Sequence, residues 1–179
     1  IFPEAKFIFL FRNPVQVFSS IMETWCSGNF MGLHHYDIDL LVGPQKLSEG
    51  FKNIRKISYF LKYEDFVMNP EKYSLEICNY LNLDFDENML SNFSSQDTRG
   101  SLGDPIGVKK FKKFETKSLG KWKKTFHSTY RVKKVKNYIN SIDSNVLEIQ
   151  GYDKKLILKE LSDLKVKKVF SIKDFVHYH

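Results

Sequence analysis

Apolar residues in this chain open with an unbroken run, Phe7-Ile8-Phe9-Leu10-Phe11, before any helical rhythm sets in. A short continuous run of this kind predicts a strand buried on both faces of a parallel sheet. It stops at Arg12-Asn13-Pro14. Asn is favoured as an N-cap and Pro is tolerated at the first helical position, so a helix is predicted to start there. Arg12 then falls at the carboxyl end of a sheet strand, where open α/β sheets bind ligands. A helix N-terminus is expected to add unpaired N–H groups and a positive dipole end, both of which favour an anion. Arg12 adds a planar fork of donors matched to phosphate, and Ser20 can offer a hydroxyl from the second turn.

The pattern continues in the same alternation. Residues 28 to 43 carry Gly and His and read as a loop; a helix follows from about Pro44 to Ile57. Phe60 and Leu61 are strand-like and lead into Tyr63-Glu64-Asp65. Pro70 opens a helix whose apolar face is Tyr73, Ile77, Tyr80 and Leu81, at three- and four-residue spacing. Asp84 to Phe93 reads as a short helix, and residues 94 to 120 as a long polar segment of the length usually reserved for functional lids. A helical region runs from Lys121 to about Ile149. Beyond Tyr152 the chain alternates Lys with Leu, Val and Ile and fits neither the helix nor the strand template. Alternating strands and helices with ligand residues at strand ends predict an α/β fold with a doubly wound parallel sheet.

Charge changes this picture more than composition does. The net charge is +7, and between Lys109 and Lys136 eleven Lys and one Arg face a single acid, Glu115. Such a block creates a positive field that draws in anions. Three uses compete: steering a nucleotide, holding an acidic glycan, or binding nucleic acid. The last lacks any reader motif, and the aromatics are not interleaved as a stacking platform. A solvated Lys-rich helix face would account for part of the block. Cys26 and Cys78 have no Cys-x-x-Cys spacing and imply neither zinc nor a disulfide framework; two thiols suit a reducing compartment, and the expected location is cytoplasmic. No run reaches the eighteen apolar residues of a membrane span, and no signal peptide is visible.

The pattern Phe2-Pro3-x-Ala5-Lys6-x-Ile8-x-x-x-Arg12-Asn13-Pro14, with Ser20 after it, resembles the 3′-phosphate-binding motif of sulfotransferases that use 3′-phosphoadenosine 5′-phosphosulfate (PAPS). The family usually carries Asp in place of Asn13, and often Asp in place of Gln16. Tyr59 to Val67, followed by Asn69-Pro70-Glu71, resembles its second segment, where a strand ends in Tyr-Glu-Asp-Leu and a Pro-initiated helix follows. Gly103-Asp104-Pro105-Ile106-Gly107 with Lys117-Ser118-Leu119-Gly120-Lys121-Trp122 resembles the late segment of bacterial and carbohydrate-type members, and Gly151-Tyr152 the usual ending.

The resemblance implies a P-loop NTPase-like parallel sheet with flanking helices, residues 1 to 152 forming the carboxyl-terminal part of the domain and 153 to 179 a tail of uncertain structure. The family's Gly-rich 5′-phosphosulfate loop and its catalytic base precede the Arg-Asn-Pro segment, so the fold is expected to be N-terminally truncated here and the base to lie outside this chain. By the same resemblance Arg12 and Ser20 contact the 3′-phosphate, and Lys117, Ser118 and Lys121 lie on the loop that closes over it. Tyr63 matches a position near the adenine; a sheet-packing Tyr is the competing reading. Glu64 and Asp65 are read as holding their loop through backbone hydrogen bonds. The implied reaction needs no metal and moves a sulfuryl group from PAPS to a hydroxyl or amine, with a carbohydrate the expected acceptor. The alternative is a non-catalytic remnant or an anion- or glycan-binding module.

Overall fold

The computed structural model describes residues 4–91, 116–167 and 174. Strand β1 (Phe7–Phe11) leads through Arg12-Asn13 into helix α1 (Pro14–Trp25). Asn13 caps α1, its side chain accepting from the Val15 N–H at 2.9 Å, and Pro14 takes the first helical position. Residues 28 to 43, read as a loop, instead hold a tight 3-10 turn, Met31–Tyr36, and a wider π-helical turn, Ile38–Val42. Their Leu33 and Leu40 are buried, and that burial overrides the Gly and His content. Helix α2 (Gly43–Ile54) and a short turn (Arg55–Ile57) bring the chain back to strand β2 (Ser58–Lys62).

The two strands pair in parallel, Phe7 with Ser58 through Phe11 with Lys62. Phe9, Phe11 and Phe60 share one face, and Phe51 of α2 lies against all three with ring centroids 5.4, 5.5 and 5.4 Å away. The opposite face departs from the expected two-sided burial. Ile8 is 40% exposed and Leu10 50%, whereas their β2 neighbour Leu61 is buried. The cover on that side comes from helices α3 (Tyr63–Met68) and α4 (Pro70–Leu81), which follow β2 and shelter it more than β1. Tyr80 of α4 ties the starts of both strands: its hydroxyl accepts from the Phe7 N–H at 3.0 Å and donates to the Ile57 carbonyl at 2.8 Å.

A single turn follows at Glu87–Leu90, and Thr116–Gly120 forms another. The helical region expected from Lys121 to about Ile149 is divided into three helices: α5 (Trp122–Thr125), α6 (Thr129–Ser141) and α7 (Ser144–Ile149). Ser128 and Asp143 cap the second and third, interrupting the run. Residues 154 to 162, without a clean periodic signature, form helix α8 (Lys154–Ser162) with Asp153 as its cap. Ile157 and Leu161, four apart, are buried in the same cluster as Phe18, Met22, Phe126, Val135 and Ile139. Arg131, counted in the basic block, is only 7% exposed and pairs with the buried Asp174. Its other donors reach the Thr125 carbonyl at 3.0 Å and the Gly28 carbonyl at 2.7 Å, so it knits the interior and adds nothing to the surface field.

Candidate functional site

Parallel register decides where the site forms. Phe11 is paired with Lys62, so the next residues, Arg12 and Tyr63, leave the sheet side by side. The Arg12 guanidinium carbon sits 4.2 Å from the centre of the Tyr63 ring, a stacked cation–π contact. Arg12 and Tyr63 lie at the carboxyl ends of the two strands, where the sequence predicts Arg12. Tyr63, however, opens helix α3 and does not end the strand. Glu64 and Asp65 occupy the first turn of that helix, where its dipole favours negative charge.

The start of α1 differs from expectation. Pro14 has no N–H, Val15 gives its N–H to the Asn13 side chain, and Gln16 and Val17 both bond the Asn13 carbonyl at 2.9 and 3.0 Å. The first turn therefore has no unpaired N–H to offer an anion. The Asn13 cap consumes the one donor that Pro14 and the helix leave over, so side chains must supply the donors here. Arg12 is half-buried, pairs with no carboxylate among the described residues, and its Nε–H is buried without a hydrogen-bond partner.

Glu64 organises the turn around it. One carboxylate oxygen accepts from the Asn13 N–H at 2.9 Å, the other from the Tyr152 hydroxyl at 2.7 Å. The reading of Glu64 as a holder of the loop is met, and Tyr152 is an addition that the sequence did not disclose. Tyr152 is 8% exposed. Burial first, then the hydrogen bond to Glu64 and the charges of Glu64 and Asp65, push its hydroxyl well above the ordinary tyrosine range, with Arg12 pulling the other way. It is thus a neutral donor at physiological pH. Lys62 donates to the Gly151 carbonyl at 3.0 Å and lies 4.4 Å from the centre of the Tyr152 ring. Gly151 has φ +78°, and a Cβ there would come within 3.3 Å of Phe60. Only Gly allows this turn to settle over the strand ends.

The other expected residues lie on separate elements. Ser20 is half-buried on α1, about 10 Å along the axis from Asn13. Its neighbour Ser19 is the one engaged, donating to Thr125 Oγ at 2.8 Å in the interior. That bond holds α5 on α1. The turn bearing Lys117 and Ser118 packs on α3, the helix that Tyr63 begins. Lys117 and Lys121 are exposed and Ser118 half-buried. Gly103 to Gly107 lie outside the described residues. Among the described residues no His, Cys, Asp or Glu cluster could hold a metal ion, and no helix is long and apolar enough to cross a membrane.

The segment that builds this corner is also the segment with a known counterpart. Residues 1–87 match the sulfotransferase family. The matched part holds β1, α1, β2, α3 and α4, and with them Arg12, Ser20, Tyr63 and Glu64. Lys117, Ser118, Lys121 and Tyr152 lie beyond it. No curated protein and no solved structure matches the chain. The parallel pair with flanking helices is a helix-rich α/β arrangement in keeping with that family.

Proposed function

We propose that this chain holds the 3′-phosphate end of PAPS in a sulfotransferase that moves the sulfuryl group to a hydroxyl or amine of an acceptor, a carbohydrate by the likeness of its late segment. The observation that carries the reading is Arg12 stacked on Tyr63 at the paired strand ends, within the family-matched residues. The residues present fit such a ligand. Arg12 has a buried Nε–H without a partner, a costly state that a phosphate oxygen at the guanidinium edge would relieve. Ser20, two turns along α1, would add a hydroxyl donor. Tyr63 offers an aromatic surface beside the charge, and Lys117, Ser118 and Lys121 would approach from the turn packed on α3.

PAPS brings the labile sulfur–oxygen bond that breaks as the acceptor oxygen or nitrogen bonds to sulfur, leaving adenosine 3′,5′-bisphosphate. What these residues contribute is register: anchoring the far phosphate fixes the donor so that its reacting end is held in place, and positioning supplies much of the rate in such transfers. Arg12→Ala in the natural full-length protein should weaken adenosine 3′,5′-bisphosphate binding by about 2–4 kcal/mol. Calorimetry showing unchanged affinity would overturn the assignment. A second reading, an anion- or glycan-binding module without activity, draws on residues 116–142, which contain seven Lys and no acid. Binding of an acidic glycan by a protein that ignores the nucleotide would favour it.

A further inference from the structure

We propose that Tyr152 is a positioning residue for Arg12: by occupying one oxygen of Glu64, it keeps that carboxylate from capturing the guanidinium, so that Arg12 stays available to an anion. The inference rests on the nucleotide reading above and assigns a role to a residue outside the family-matched segment.

Glu64 has two oxygens and the structure gives each a donor. The Asn13 N–H, which belongs to the peptide joining Arg12 to Asn13, takes one at 2.9 Å. The Tyr152 hydroxyl takes the other at 2.7 Å. Glu64 follows Tyr63, whose ring Arg12 covers, and its carboxylate is anchored at the Arg12–Asn13 peptide. A carboxylate at that peptide is the acceptor for which the guanidinium would compete, since arginine and carboxylate form bidentate pairs where they meet. Here they form none: no ion pair joins Arg12 to any described carboxylate. Each carboxylate oxygen already holds one neutral donor that competes with the guanidinium, and the guanidinium keeps its place on the aromatic face.

Tyr152 is itself held with little freedom. Its N–H bonds the Leu147 carbonyl at 2.8 Å at the end of α7, the left-handed Gly151 sets the direction of the turn, and Lys62 pins the Gly151 carbonyl. The group that reaches Glu64 thus comes from a rigid turn on the opposite flank of the sheet end.

The test uses the natural full-length protein and the ratio of its affinities for adenosine 3′,5′-bisphosphate and adenosine 5′-monophosphate, which isolates the 3′-phosphate. Tyr152→Phe keeps the ring and its packing while freeing one Glu64 oxygen. The ratio should fall about five- to tenfold, the worth of a charged hydrogen bond diverted from ligand to carboxylate. Adding Glu64→Gln to Tyr152→Phe should restore it, because an amide does not trap the guanidinium. A merely structural role for Tyr152 predicts that the double variant fails to recover. An unchanged ratio in Tyr152→Phe, in a protein where Arg12→Ala abolishes the 3′-phosphate preference, would overturn the proposal alone. An unchanged ratio in Arg12→Ala would overturn the nucleotide reading and this inference with it.

Discussion

Arg12 lies over the ring of Tyr63, 4.2 Å from its centre, because two parallel strands end at the same level. The contact depends on a flat cation. Arg12→Lys keeps the charge but loses the planar stacking and the fork of donors, so nucleotide affinity should fall about tenfold although net charge is unchanged. Titration calorimetry at fixed ionic strength would measure it, and equal affinity in the Lys variant would mean that charge alone is being read.

Ser19 and Ser20 are neighbours with separable duties. Ser19→Ala removes the interior bond to Thr125 and leaves a buried hydroxyl unpaired, a loss of about 1–2 kcal/mol of stability. Ser20→Ala should leave the unfolding midpoint nearly in place and weaken nucleotide binding instead. Denaturant melts of both variants beside binding curves would show whether the two effects separate.

Asp174 holds a charge in place from far along the chain. Asp174→Ala strands the Arg131 guanidinium in the interior and should cost about 3–5 kcal/mol, as loss of one member of a buried pair does. Replacing both partners by Arg131→Met and Asp174→Leu should cost less than the single change. Chemical denaturation would rank the three proteins.

Alkaline pH should loosen the fold. Burial raises the hydroxyls of Tyr138 and Tyr152, and burial with a Glu76 bond raises that of Tyr59. Each is neutral in the folded protein at a pH where the unfolded chain begins to lose the proton. The stability they contribute is complete below the free-tyrosine value of about 10 and is lost as pH rises beyond it toward the folded values. Tyr152→Phe should flatten that alkaline decline without abolishing it, which melts at pH about 8 and about 11 would reveal.

Much of this corner was legible in the residues, and the reasons are local. An apolar run followed by a capping Asn and a first-turn Pro specifies a strand, a turn and a helix, and so places Arg12. The same signals misjudged what depends on partners. The count of buried faces on β1 depends on what lies against it, and Ile8 and Leu10 face outward. Free N–H groups on α1 were expected from its position, whereas the choice of Asn as cap uses them up. Helix α8 was missed because its lysines blur the periodicity, although the Asp153 cap and the Ile157–Leu161 spacing were available to find it. Tyr152 carried no local mark of its task. Its bond to Glu64 spans 88 residues of sequence and follows from the Gly151 turn, the register of the strands and the start of α3 together.

Those separations also govern when the corner exists. Asn13 and Glu64 are 51 residues apart, and Glu64 and Tyr152 are 88 apart, so no short stretch of unfolded chain resembles the assembled corner. A ligand that grips Arg12 there finds nothing to hold in the denatured ensemble. Its binding then stabilises the native state alone, by an amount that grows with the logarithm of free ligand over Kd, and the melting temperature becomes a meter of how much ligand is present.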